Sequence, residues 1–251
     1  MPYRDIVNRG LAVQHAGCSI VGRNRSVNED GWASLPSAGV FFVADGCGGE
    51  ASGRVAADLA LGSLEGVLLR GSVGGVEPLA AAVDEANVAI RAAAIGKQRG
   101  MGAAIAALRL ASPWAVTAHV GDCRIYRYRR SDTHGGVLVR MTTDDSLWVH
   151  MVRAGASFDE VKEAYETHGN VITQALGTGP NIQTHVEYQA LEPGDLYLLC
   201  SDGVTRQLDD ESIRNLISDD DLPLAERCEK LVRAADERLG TDNVTAILVQ
   251  C

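Results

Sequence analysis

The sequence lacks the patterns that mark several large classes of protein. Its six cysteines include no Cys-x-x-Cys pair, and no His-Glu-x-x-His motif occurs, so two common zinc-site patterns are absent. No uninterrupted apolar run approaches the roughly 18 residues that a membrane-spanning helix needs. Cysteines scattered through a chain of this length are typical of reduced core thiols rather than of a disulfide framework.

Basic residues are also scarce. Lys and Arg total 23 against 33 Asp and Glu, which gives a formal net charge of −10. A broad nucleic-acid interface needs a basic surface, so we expect no nucleic-acid partner, although a local phosphate site is not excluded. No apolar segment typical of a signal peptide follows Met1–Asp5. We therefore expect a cytoplasmic monomer without a membrane span.

The length of 251 residues fits one large domain or two small ones. The most linker-like segment is Gly71–Gly75, and its two flanks are similar in composition. We expect this segment to join two helices rather than two domains. The sequence therefore predicts a single domain over residues 1–251.

Hydrophobic periodicity predicts strands that follow one another and helices that come in pairs. The predicted strands are Val40–Ala44, Ala103–Leu110, Ala115–Val120, Arg124–Arg129, Val137–Met141, Val171–Leu176, Thr184–Ala190, Leu196–Cys200 and Val244–Val249. The predicted helices are Ala51–Leu69, Glu77–Ile95, a segment opened by the capping box Ser157–Glu160, Glu211–Ile217 and Leu224–Leu239. This order favours antiparallel sheets with helices packed on them over alternating βαβ units.

Four short acidic strings are the most informative feature of the chain. They are Asn28–Asp30, Ala44–Gly49, Ser201–Gly203 and Thr241–Asn243. Oxygen-rich sites of this kind suit Mg²⁺ or Mn²⁺. A single Asp-Gly pair is more often an ordinary turn. Its repetition after apolar strands at Asp45 and Asp202, with Asp242 before another strand, favours a shared metal site.

Two further positions allow both an ordinary and a functional interpretation. Arg25 lies four residues before Glu29, and a guanidinium is the side chain best suited to bidentate contact with phosphate. A lone arginine is nevertheless more often a solvated surface residue. The pair Gly121-Asp122 lies between two predicted strands, where the simplest interpretation is a hairpin turn.

A longer series of motifs occurs in order from about Gly22 to the C-terminus. It consists of Arg25 with Asn28–Asp30, then Phe42–Gly49, Val120–Tyr126, Met141–Ser146, Asn170–Gly177, Gly194–Thr205 and Asp242–Thr245. In this order and spacing, the chain resembles the type 2C (PPM) metal-dependent serine/threonine protein phosphatases, in their free-standing bacterial form. The resemblance covers most of the chain.

The resemblance implies an α+β fold, a four-layer αββα sandwich of two stacked antiparallel sheets flanked by helix pairs. It implies hydrolysis of phosphoserine and phosphothreonine by a hydroxide that bridges two Mn²⁺ or Mg²⁺ ions, without a covalent intermediate. Asp45 would bridge both ions, and Asp202 and Asp242 would hold one of them. Glu29 and the Gly46 carbonyl would serve the other.

Further roles follow from the same resemblance. Asp122 matches a residue that helps to hold a third, weaker ion, and Arg25 matches the arginine that binds the substrate phosphate. Asp30 and Asn243 are expected to support the ligands from behind. Cys47 takes a position that is often His or Met, which leaves open the group that protonates the leaving alkoxide.

Other positions depart from the family pattern. We expect Ala103-Ala104 and Cys123 to be packing changes, whereas Asp145 replaces a frequent histidine and alters local hydrogen bonding. Ala156–His168 matches a flap near the site, where substrate choice would be set. The alternatives are a pseudophosphatase that binds phosphoproteins without hydrolysis and a phosphatase of small phosphoesters. The implied partners are phosphorylated proteins and a Ser/Thr kinase of a bacterial signalling pathway.

Overall fold

The computed structural model describes residues 13–70, 77–131, 136–238 and 240–251. Its strands form two antiparallel five-stranded sheets. The first sheet has the order β1 (Gln14–Ile20), β10 (Val244–Gln250), β9 (Leu196–Cys200), β6 (Arg124–Arg129) and β7 (Val137–Arg140). The second has the order β2 (Asp30–Leu35), β3 (Val40–Cys47), β4 (Gly102–Ala111), β5 (Trp114–Val120) and β8 (His185–Ala190).

Helices cover the outer faces of both sheets. On the second sheet lie α1 (Glu50–Arg70) and α2 (Glu77–Ala93), which pack against each other. On the first sheet lie α5 (Asp202–Thr205), α6 (Asp210–Ile217) and α7 (Leu224–Arg238). Between β7 and β8 the chain forms α3 (Leu147–Arg153) and α4 (Phe158–His168), which contact each other. The predicted four-layer sandwich is confirmed.

Strand β3 shows why the central strands are apolar on both faces. Val40 and Phe42 pack with α1 and α2, whereas Phe41 and Val43 pack between the two sheets. Successive side chains of a strand point to opposite faces, so a strand covered on both sides carries an unbroken apolar run. All four of these side chains are fully buried. Strand β3, which lies inside the sheet, is thereby held rigidly up to the acidic residues at its end.

Most predicted elements agree with the structure within a few residues. Strands β6 and β9 have the predicted bounds. The capping box at the start of α4 is present: Ser157 Oγ accepts a hydrogen bond from Glu160 N, and the Glu160 carboxylate accepts one from Ser157 N at 2.8 Å. All six cysteines are free thiols. Among the described helices, none combines the length and apolarity that crossing a membrane would need.

The predicted strand Val171–Leu176 is wrong. Ile172 and Leu176 make only isolated bridges, to Ser146 and Ala103 respectively. Leu176 is buried because it packs into the core beneath α1 and α2, whereas Val171 is 39% exposed, so the apolar composition of this segment does not reflect a strand ladder. Strands β1 and β2 and helix α3 were not predicted, and Gly71–Gly75 lies outside the described residues.

Candidate metal centre

The predicted site residues come together where several strands of both sheets end. A cleft of about 280 Å³ occupies this position. It is lined by Arg25, Glu29, Asp45, Gly46, Cys47, Gly48, Gly49, Ala104, Asp122, Asn170, Ile172, Asp202, Arg206 and Asp242. The lining includes every residue that the sequence suggested as a metal ligand or as the phosphate-binding arginine. The two suggested supporting residues, Asp30 and Asn243, lie directly behind it.

Asp45 is held by strand pairing on both sides. It lies opposite Asp30 in the β2–β3 ladder and opposite Ala104 in the β3–β4 ladder. Strand β3 continues beyond Asp45 to Cys47. The interpretation of Asp45 and its following glycine as an ordinary turn is therefore wrong, and the carboxylate projects from a central strand.

Two glycines allow backbone segments to approach closely beside the acids. A Cβ atom on Gly46 would overlap the carbonyl oxygen of Gly53, and one on Gly203 would overlap that of Asn243. Neither glycine has a positive φ. Close approach, rather than a left-handed turn conformation, is the reason that only glycine fits at these two positions.

The first sheet contributes acids from two segments. Asp202 is the first residue of α5, directly after β9, and Asp242 lies just before β10. Asn243 ties these segments to the start of β2: its Oδ1 accepts a hydrogen bond from Glu29 N at 2.9 Å, and its Nδ2 donates to Val27 O at 3.0 Å. One buried amide thus fixes the position of Glu29 relative to Asp242.

Asp30 supports the site from inside the sandwich. Ser201 Oγ donates a hydrogen bond to Asp30 Oδ2 at 2.7 Å and accepts one from Thr245 N at 3.1 Å. Desolvation raises the pKa of Asp30 to about 7, and the Ser201 hydroxyl counters part of this rise. Asp30 therefore joins the two sheets behind the cleft.

The turn that carries Asp122 is not a hairpin. It connects β5 of the second sheet to β6 of the first, so the hairpin interpretation is wrong. Gly121 has φ 93°, a conformation that favours glycine. The turn therefore brings Asp122 to the cleft at the junction of the two sheets.

The acids of the cleft raise one another's pKa values. Desolvation raises the pKa of Asp45 well above its ordinary value, and the charges of Asp30, Asp202 and Asp122 add to the rise. Desolvation also raises the pKa of Asp122 to about 8 and, less strongly, that of Asp202, where Arg206 opposes it. Such crowding of carboxylates disfavours their ionised forms unless a cation is present.

Two arginines hold some of these carboxylates. Arg25 places Nη1 3.1 Å from Glu29 Oε2 and Nη2 2.8 Å from Asp242 Oδ1. Arg206 places Nη2 2.8 Å from Asp202 Oδ2. Sequence reasoning missed Arg206. Its spacing of four residues from Asp202, one helical turn, is the signal that could have identified it.

The donor set fits a divalent cation. The acidic groups supply only oxygen atoms, which Mg²⁺ and Mn²⁺ prefer. Asp202 Oδ1 is buried and has no hydrogen-bond partner among the described residues, which is costly for a carboxylate oxygen. Among the described residues, however, no group of three or more acidic, histidine or cysteine side chains is arranged so that it could hold a metal ion as it stands.

Cys47 lines the cleft but is a poor nucleophile. Desolvation raises the pKa of its thiol, and the charges of Asp122 and Glu29 add to the rise. The reactive form of cysteine is the thiolate, so this thiol is protonated at neutral pH and unreactive. Cys47 is therefore not suited to form a covalent intermediate.

Comparisons with known proteins agree with this geometry. The sequence model of the family Protein phosphatase 2C matches residues 22–248. Protein phosphatase PhpP of Streptococcus pneumoniae is 32% identical over 239 residues, which cover 91% of this chain and 94% of PhpP. The serine/threonine protein phosphatase PstP of Mycobacterium tuberculosis is 32% identical over 243 residues, which cover 95% of this chain and 45% of PstP.

Solved structures have the same overall fold. The crystal structure of Mycobacterium tuberculosis PstP/Ppp superposes with a TM-score of 0.84 at 32% identity, covering 96% of this chain and 99% of that one. The catalytic domain of PstP in complex with two manganese ions superposes with a TM-score of 0.80 at 31% identity, covering 95% and 97%.

Proposed function

The chain belongs to the protein phosphatase 2C family, the metal-dependent serine/threonine protein phosphatases, and we propose that its reaction takes place in the cleft that contains Asp45. The observation that carries this proposal is the convergence of distant acidic residues and two arginines on a single cleft. The substrates are then phosphoserine and phosphothreonine residues of proteins, and a Ser/Thr kinase is the opposing enzyme. We also propose that the chain forms one catalytic domain.

We propose Asp45 as the ligand shared by two ions, Mn²⁺ or Mg²⁺. Its pKa responds to the charges of four other acids, Asp30, Asp202, Asp122 and Asp242. This central position within the acidic cluster supports the assignment, because a bridging carboxylate must be near both sets of ligands. Its place on a central strand would keep it fixed when the ions bind.

The remaining ligands are proposed on either side of Asp45. Asp202 and Asp242, on the side of the first sheet, would hold one ion. Asp202 Oδ1, which has no hydrogen-bond partner in the described part of the chain, supports this. Glu29 and the Gly46 carbonyl, on the side of the second sheet, would serve the other ion. Asp122 would contribute to a third, weaker position.

The residues of the chain bind and orient the phosphate. Bound divalent cations would lower the pKa of water in the cleft and offset phosphate charge. Arg25 lies at the mouth of the cleft, where its side chain is 36% exposed and is oriented by Glu29 and Asp242. Its guanidinium is suited to contact two phosphate oxygens and to stabilise their charge in the transition state. With Cys47 protonated, we propose direct attack by water and no phosphorylated enzyme.

The proposal is tested by hydrolysis of a phosphothreonine peptide after removal of metal by a chelator. We expect no turnover until Mn²⁺ is added, and a loss of at least about 10²-fold in the isosteric variant Asp202→Asn. Turnover without metal, or full activity of Asp202→Asn, would contradict it. Comparing kcat/KM for the peptide with that for p-nitrophenyl phosphate distinguishes a protein phosphatase from a phosphatase of small esters.

A further inference from the structure

Asp145 is an extensively bonded acidic residue behind the cleft, and the proposed reaction gives it no role. Its Oδ2 accepts hydrogen bonds from Gly121 N at 2.9 Å and from Gln174 Nε2 at 2.7 Å. Its Oδ1 accepts one from His185 Nε2 at 2.9 Å. The side chain is only 7% exposed. Both carboxylate oxygens are therefore engaged, and neither is directed to a cation or to substrate.

The main chain of Asp145 makes further bonds to the same two segments. Its N–H donates to Gly121 O at 2.9 Å. Its carbonyl accepts hydrogen bonds from Thr173 N at 2.6 Å and from Thr173 Oγ1 at 3.0 Å. One residue thus links the turn at Gly121 to the segment 173–174.

The turn held by Asp145 is the one that carries Asp122. A Cβ atom on Gly121 would lie 2.5 Å from the Cβ of Ala104, and Ala104 is the strand partner of Asp45. The turn is therefore packed tightly on one side and hydrogen-bonded to Asp145 on the other. Loss of the Asp145 side chain would leave the Gly121 N–H buried without its acceptor, and only the main-chain bond from Asp145 N to Gly121 O would still hold the turn on this side.

The second segment held by Asp145 forms a wall of the cleft. Asn170 and Ile172 line the cleft, whereas Thr173 and Gln174 line a separate cavity of about 310 Å³ together with Asp145. The segment 170–174 therefore separates the two spaces. Asp145 holds it from the side opposite the substrate.

His185 is itself fixed in place. It lies opposite His119 in the β5–β8 ladder, and the two rings stack with centroids 4.8 Å apart. His119 is bonded in turn through Nε2 to Thr143 O at 2.9 Å. The partner that orients Asp145 is thus anchored to the second sheet, which makes the arrangement rigid before any ligand binds.

We propose that Asp145 is a positioning residue for the phosphatase reaction, which fixes the turn of Asp122 and thereby sets the affinity of the cleft for its most weakly held divalent cation. The inference rests on the proposed function, in which Asp122 is a ligand of that cation. Residues that orient metal ligands without touching the metal commonly change metal affinity by about 10- to 100-fold.

The test is calorimetric titration of the metal-free protein with Mn²⁺. In Asp145→Ala we expect the weakest binding event to weaken about tenfold while the tighter events stay within about twofold. Asp145→Asn should restore most of the affinity. An asparagine oxygen can accept from Gly121 N and Gln174, and its amide can donate to the other tautomer of His185.

A second variant separates positioning from general damage to the fold. Asp195 is also buried, accepts a hydrogen bond from Glu192 N at 3.0 Å and pairs with Arg129, but it lies at the opposite end of β9 from Asp202. Asp195→Ala should destabilise the protein without weakening any Mn²⁺ event. Equal weakening in Asp195→Ala, or unchanged titration in Asp145→Ala, would overturn the inference.

The background Asp122→Ala tests the route of the effect. If Asp145 acts through Asp122, adding Asp145→Ala to Asp122→Ala should not weaken Mn²⁺ binding further, and an additional tenfold loss would overturn the inference. Hydrogen exchange of the Gly121 amide in metal-free protein should be faster in Asp145→Ala than in wild type. Titration effects without any phosphopeptide turnover would support the control of metal affinity by Asp145 and reject the proposed reaction, and absence of Mn²⁺ binding by the wild type would reject both.

Discussion

Aspartates withdrawn from bulk solvent occur in two regions of the molecule and have opposite surroundings. Outside the cleft, Asp144 and Asp195 are paired with arginines. Asp144 lies 2.7 Å from Arg124 Nη2 and is also bonded by Arg140. Asp195 lies 2.7 Å from Arg129 Nε. These carboxylates are compensated within the fold, and their arginines hold strands and loops together.

In the cleft the neighbours of an aspartate are mostly other acids. Desolvation together with these like charges raises the pKa values of Asp45 and Asp122. A cluster of this kind lowers the stability of the folded chain, and a functional site is the usual reason for such an arrangement. The comparison separates functional from structural aspartates by their surroundings alone, without reference to motifs.

The largest expected effect is the loss of activity in Asp45→Asn. Removing the charge of the proposed bridging ligand should lower kcat/KM for a phosphothreonine peptide by about 10³-fold. The metal-free variant should be more stable than wild type, because folding no longer buries an ionisable carboxylate among other acids. Steady-state kinetics and urea unfolding measure the two quantities. Asp195→Asn, the same change at a paired aspartate, serves as control, and a stability loss in Asp45→Asn would break the comparison.

Next in size is the destabilisation of Asp144→Ala, by about 3 kcal/mol. Removal of one partner from a largely buried ion pair leaves the other charge uncompensated, here those of Arg124 and Arg140, whose side chains are 18% and 26% exposed. Urea unfolding of metal-free protein gives the value. A change below about 1 kcal/mol would mean that the paired aspartates contribute no more than surface ion pairs do.

The pH dependence of the metal-free protein should distinguish the two regions further. The folded-state pKa values of Asp30 and Asp122 are raised to about 7 and about 8. The folded chain therefore binds more protons than the unfolded chain between about pH 4 and pH 8, so the free energy of unfolding falls as pH rises through this window. The slope is up to roughly 1.4 kcal/mol per pH unit for each proton.

Urea unfolding at a series of pH values in the presence of a chelator measures this slope. Asp122→Asn should flatten its upper part near pH 8, because the residue with the higher pKa no longer titrates. Saturating Mn²⁺ should abolish the slope above pH 7 by holding the carboxylates ionised. Stability that rises with pH in metal-free protein would show that the cleft carboxylates are compensated after all.

The sequence predicts the layers and the cleft because both depend on local signals. Strands such as β9, Leu196–Cys200, are apolar and end in turn residues, and the acidic motifs follow them directly. Strands β1 and β2 could not be recognised in this way. Both have mixed composition, as in the polar Gln14 and His15 of β1, and they form because neighbouring strands offer them partners.

Contacts between segments that are distant in the chain could also not be predicted from local sequence patterns. Val171–Leu176 has the composition of a strand, yet its neighbours pair with it only at single residues. The bonds from Asp145 to Gly121 and Gln174 span 24 and 29 residues, and no local pattern encodes them. The sequence indicated that Asp145 alters local hydrogen bonding, but it did not indicate that the partner of Asp145 is His185 on β8.

The smallest expected effect concerns Arg206, the cleft arginine that pairs with Asp202. If this pair compensated Asp202 as Arg124 compensates Asp144, the distinction between the two regions would fail. The Arg206 side chain is 33% exposed and engages only Oδ2, while Oδ1 has no hydrogen-bond partner among the described residues. Exposed ion pairs contribute about 0–1 kcal/mol.

We therefore expect Arg206→Met to change the unfolding free energy of metal-free protein by less than about 1 kcal/mol. The matched substitution Arg124→Met should remove at least about 2 kcal/mol, because it leaves the buried Asp144 with only Arg140. Equal losses in the two variants would show that Asp202 is a paired aspartate of the structural kind.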